Sequence, residues 1–63
     1  MKETKPRILV VEDEEGIMLA VQENLAYAGY DVVTAADGPA GLQMGLESKP
    51  DLIILDLMLP GMS

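Results

Sequence analysis

The chain has 63 residues and carries four Lys+Arg against eleven Asp+Glu, a formal net charge of −7. That length allows one small domain. Lys2, Lys5, Arg7 and Lys49 form no basic run, so the chain is excluded as a surface for a nucleic-acid backbone or an anionic membrane. Without Cys or His there is no disulfide framework, thiolate metal site or histidine zinc site, yet a hydrophobic content of 49% is that of a chain that folds.

The elements follow in chain order. Residues 1–6 read as a flexible polar start. They lead into an apolar stretch far shorter than the ~7 to 15 residues of a signal-peptide core or the ~20 of a membrane span, so the cytoplasm is the expected compartment. Ile8 to Val11 is apolar at every position, the mark of a strand buried on both faces in a parallel sheet. A helix is predicted from Glu15 to Ala28, with Ile17, Ala20, Val21, Asn24, Leu25 and Ala28 on its inner face and Gly29 placed to stop it. Glu14 and Glu15 suit its first turn, where the helix dipole favours negative charge.

Tyr30 to Ala35 is β-branched and reads as a second strand. Asp37 is a plausible N-cap, with Pro39 near the first helical position, for a helix running to Glu47 that Gly41 and Gly45 weaken. Asp51 to Asp56 makes a third strand, apolar through its middle. The β-α-β-α-β pattern predicts a parallel α/β sheet. Strand order 1-2-3 or 2-1-3 fits the connections. The second is favoured, because right-handed crossovers then place the helices on opposite faces and cover the first strand, the more apolar of the first two.

In such a sheet, ligands bind beyond the carboxyl ends of the strands where the winding reverses, here between strands 1 and 3. Glu12 and Asp13 close strand 1 and Asp56 closes strand 3. Adjacent strands stand about 4.8 Å apart, so three carboxylates would crowd one concavity, and a hard divalent cation such as Mg²⁺ would relieve them. An Asp beside a cation can act as a nucleophile toward phosphorus. Solvated caps are the bland alternative, and the better one for Glu14 and Glu15. Asp56 interrupts an apolar run and is costly there unless paired, metal-bound or at the rim.

Other phosphate and metal chemistries fail on the same residues. A glycine-rich phosphate loop is absent after strand 1, where Glu12 to Glu15 would repel the phosphate. EF-hand spacing is not met. A haloacid-dehalogenase-like phosphatase would want an acid two residues after Asp56, where Met58 stands.

The segments ILVVEDEEG, AGYDVVTAADGPAGL and PDLIILDLMLPGMS closely resemble the first half of a two-component response regulator receiver domain, over nearly the whole chain from Arg7 onward. The resemblance implies a flavodoxin-like fold with strand order 2-1-3 in this portion. It also implies a phosphoprotein in phosphorelay signal transduction, not a freestanding enzyme, with a histidine kinase as partner. Asp56 would be the phosphoacceptor. Mg²⁺ would be held by Glu12, Asp13, Asp56 and the backbone carbonyl of Met58. Glu12 stands where the family also commonly has Asp, which keeps the charge on a longer arm.

A full receiver has about twice this length, so residues 1–63 read as a partial receiver domain truncated after strand 3. The family's later hydroxyl and lysine residues are absent, and Lys49, at the opposite end of strand 3, cannot replace the lysine. Phosphorylation would then be impaired. Leu52 to Leu55 would form an exposed apolar edge, and a self-associating or complementing structural half-domain, such as a dimer through strand 3, is the alternative reading.

Overall fold

A computed structural model of the chain describes residues 4–55. In order, the elements are β1 (Arg7–Val11), α1 (Glu15–Tyr27), β2 (Asp31–Ala35), α2 (Gly38–Ser48) and β3 (Leu52–Leu55). Both pairings are parallel and the sheet order is β2-β1-β3, as the burial argument predicts. Val11, the last residue of β1, stands opposite Ala35 of β2 and Leu55 of β3. The winding therefore reverses between β1 and β3.

The continuous apolar run of β1 is explained by its central place. Ile8, Leu9, Val10 and Val11 are all buried. Leu9 and Val11 form a cluster with Ala35, against which Val33, Ala40 and Met44 pack, so alternate residues of β1 face α2. Ile8 and Val10 point to the other face, which α1 covers. The two faces differ in how closely the helix approaches. A Cβ built on Gly41 would lie 2.9 Å from Cγ2 of Val11. The sequence marks Gly41 only as a weak helix former; its lack of a side chain is what lets α2 settle on β1.

The helix ends have identifiable causes. After α1, the Gly29 N–H donates to the Ala26 carbonyl and the Tyr30 N–H to the Leu25 carbonyl, a Schellman motif with Gly29 at φ 104°. Asp37 caps α2, its carboxylate accepting from the Ala40 N–H at 2.8 Å, with Pro39 in the first turn. Lys49 ends α2 in the left-handed region, at φ 51°.

The inner face of α1 differs from its predicted one. Met18, Val21, Gln22 and Leu25 are the half-buried positions, whereas Ile17 is 48% exposed and Ala20, Asn24 and Ala28 are also exposed. Two adjacent stripes of this helix are apolar enough to compete, and periodicity does not say which one meets the sheet. The stripe left outside belongs to a helix whose contacts run to β2 and β1. On β3, Leu52, Ile53 and Leu55 are each about half exposed, and an apolar groove of about 200 Å³ runs between Ile53, Leu55 and the α2 residues Gly41 and Leu42. The expected apolar surface on the third strand is thus present among the described residues.

Candidate functional site at the carboxyl end of the sheet

The chain leaves β1 through Glu12, which is buried at 6% exposure. Its backbone N–H continues the β1–β2 ladder by donating to the Ala35 carbonyl at 3.0 Å. Its carboxylate turns back over the start of α1, where Oε2 accepts from the Glu14 N–H at 2.9 Å. Glu14 occupies the N-cap of α1 but makes no side-chain cap bond of its own. The Glu12 carboxylate therefore supplies an acceptor for a donor near the helix start, where the helix dipole also favours an anion. The longer arm of Glu suits this reach back to a residue two positions on.

Asp13, next in the chain, is exposed, as are Glu14 and Glu15. Glu15 lies in the first turn of α1, in keeping with its reading as a dipole complement. Glu12 and Asp13 thus stand together at the end of the central strand, one carboxylate buried and anchored and the other open to solvent. Both are hard oxygen donors of the kind Mg²⁺ takes alongside retained water. Asp56 and Met58 lie outside the described residues. Leu55, one peptide bond before Asp56, is paired with Val11, one bond before Glu12.

Among the described residues no three acidic side chains converge as a metal cluster, so neither Glu14 nor Glu15 completes a site with Glu12 and Asp13. The cations among the described residues sit elsewhere. Lys5 and Arg7 precede or open β1, and Lys49 ends α2 just before β3, so all three belong to the amino end of the sheet. Lys49 is therefore where sequence reasoning put it, away from the acidic end.

A feature the sequence reading missed is the use made of Arg7. Its Nε donates to the Asp31 carboxylate at 2.6 Å and its Nη1 to the Ser48 carbonyl at 2.7 Å. Its backbone N–H donates to the Asp51 carboxylate at 2.7 Å. An Arg opening the central strand, with an Asp at the corresponding position of each neighbouring strand's entry, was the available signal.

The description "response regulator receiver domain" is that of the family whose model matches residues 8–63. The chain belongs to that family. It is 56% identical over 54 residues to the alkaline phosphatase synthesis transcriptional regulatory protein PhoP of Bacillus subtilis, covering 86% of this chain and 22% of that protein. It is 51% identical over 55 residues to the DNA-binding dual master transcriptional regulator RpaA of Synechocystis, covering 87% and 23%. Against the transcriptional regulatory protein KdpE of Mycobacterium tuberculosis it is 46% identical over 56 residues, covering 89% and 25%. The chain spans about a quarter of the length of these relatives. The β2-β1-β3 parallel sheet is that of a flavodoxin-like receiver half, and the membership ties the chain to two-component signalling. Among the described residues no helix is long and apolar enough to cross a membrane.

Proposed function

We propose that this receiver segment accepts a phosphoryl group on Asp56 from a histidine kinase, with Glu12 and Asp13 holding Mg²⁺ beside it. The observation that carries the reading is the placing of Glu12 and Asp13 at the winding reversal, on a strand whose last residue pairs with the residue before Asp56. A carboxylate oxygen of Asp56 attacks the phosphorus of a phosphohistidine. The P–N bond breaks, and the imidazole nitrogen keeps the electron pair and takes a proton from solvent. Bound Mg²⁺ supplies charge neutralisation for the incoming phosphoryl oxygens. Glu12 contributes a fixed carboxylate, since its hydrogen bond to the Glu14 N–H holds it in place. Asp13 contributes an open one, and the Met58 carbonyl a further oxygen.

The role is that of a cytoplasmic signalling module. Incubation with Mg²⁺ and a small phosphodonor, followed by intact mass, tests it. One phosphoryl addition is expected in the wild type and none in Asp56→Asn. An addition that survives Asp56→Asn contradicts the assignment.

The half-exposed Leu52, Ile53 and Leu55 favour a second reading, in which β3 packs against a second copy of the chain. Mass in solution across a dilution series separates the two. A monomer at all concentrations removes the second and leaves the first intact.

A further inference from the structure

The strands of this sheet are apolar almost throughout, so burial alone does not fix their alignment. A slip of two residues returns every side chain to its own face. β3 reads LIIL, and there even a slip of one residue exchanges apolar for apolar. β2 has further constraints, because both helices pack on it. The main contacts of α1 and α2 run to β1 and β2, whereas those of β3 run to β1. Hydrophobic packing therefore holds β3 in the sheet without selecting its register.

The selecting groups lie at the amino end. The Asp51 carboxylate accepts from the Arg7 backbone N–H at 2.7 Å, and the Asp51 N–H donates to the Arg7 carbonyl at 2.7 Å. Together these bonds close a ring between the entries of β1 and β3 that a slipped alignment breaks. The Arg7 side chain extends the ring in both directions. Its Nη1 holds the carbonyl of Ser48, the last residue of α2, and its Nε holds Asp31, the residue directly opposite Arg7 in β2. Side chains of the Arg7–Asp31 pair are 42% and 43% exposed, so Coulomb attraction between them is heavily screened. Directional hydrogen bonds to backbone groups give the arrangement its selectivity.

We propose that Arg7 and Asp51 form a register clasp. They are positioning residues that decide which residue of β3 stands beside the carboxyl end of β1, and so align the acidic site at the far end of the strand. A two-residue slip moves β3 by roughly 6.6 Å along β1. Leu55 would then stand displaced by that distance from Val11, its partner in the native register. Consequences for phosphoryl transfer rest on the function proposed above; the registry does not.

Cross-strand nuclear Overhauser contacts in the isotope-labelled full chain read the register directly, through the pairs Leu9–Ile53 and Val11–Leu55 for β3 and Leu9–Val33 and Val11–Ala35 for β2. In Asp51→Ala the slipped population is expected to rise at least tenfold, as a second set of β3 contacts, with the β2 contacts unchanged. Asp51→Asn keeps an acceptor oxygen and is expected to restore the single native set. Arg7→Gln is expected to loosen the α2 exit and give a second β3 set as well. Only the native set in both Asp51→Ala and Arg7→Gln, with nothing but a lower unfolding midpoint, overturns the proposal. If Asp51→Ala does not fold, Arg7→Gln decides: a second set supports the clasp and a single set overturns it. Absence of phosphorylation in the wild type would count against the proposed function and leave the register reading standing.

Discussion

The two ends of this sheet are built on opposite electrostatic plans. At the amino end, Arg7 meets Asp31, Asp51 and the Ser48 carbonyl, with Lys5 and Lys49 nearby in the chain, so charge is matched within the protein. At the carboxyl end Glu12, Asp13, Glu14, Glu15 and Asp37 are all acids, with the Glu12 carboxylate accepting from the Glu14 N–H and the Asp37 carboxylate from the Ala40 N–H. Sorting charge along the strand axis makes one end a closed structural joint. It gathers acids at the other, the end at which the cation is proposed to bind.

The largest expected effect concerns how tightly each half is packed. Gly41 lies against Val11 near the acidic end, and Gly45 near Leu9, further toward the amino end. A Cβ at Gly41 would sit 2.9 Å from Val11, a stiff, buried side chain, whereas one at Gly45 would sit 3.7 Å from Leu9. Gly41→Ala should therefore cost about 1–3 kcal/mol through overpacking, despite its better helix propensity. Gly45→Ala should gain up to about 1 kcal/mol. Urea unfolding of the two variants gives opposite shifts in midpoint if the packing differs as described.

Removal of the matched charge comes next. Arg7→Met deletes two side-chain hydrogen bonds worth roughly 0.5–1.5 kcal/mol each; discounted for half-exposure, the cost should be about 1–1.5 kcal/mol. Part of that difference should disappear in high salt, because the ion pair is screened. An unfolding series at low and high ionic strength measures it. Asp37→Ala should cost the least, about 1 kcal/mol, since it removes one N-cap bond at the start of α2. It should show little salt dependence, because its partner is a backbone N–H.

How far the fold was legible in the sequence follows from which physical signals are local. The unbroken apolar run Ile8 to Val11 and the β-α-β-α-β alternation implied a buried central strand and the order β2-β1-β3, and the structure has both. Asp37, Pro39 and Gly29 act locally and were readable as cap and stop signals. The inner face of α1 was not, because Ile17 and Met18 lie on neighbouring apolar stripes and only tertiary packing chooses between them. Gly41 misled for a related reason: propensity sees a weak helix position, and close approach to Val11 exists only after folding. In the site, Glu12 and Asp13 were legible as carboxylates at a strand end, but the bond from the Glu14 N–H to Glu12 depends on the path of the loop. Arg7 was counted as a scattered cation, since its three partners are 24 to 44 residues away in the chain.

The most direct measurement is the effect of Mg²⁺ on the unfolding midpoint of the wild type, Asp13→Asn and Gly45→Ala. A ligand that binds only the folded state adds about 1.4 kcal/mol at roughly ten times its dissociation constant. If the acidic end holds the cation, the midpoint rises equally in the wild type and Gly45→Ala and stays in place in Asp13→Asn. An equal rise in all three proteins would contradict a metal site at the carboxyl end of the sheet.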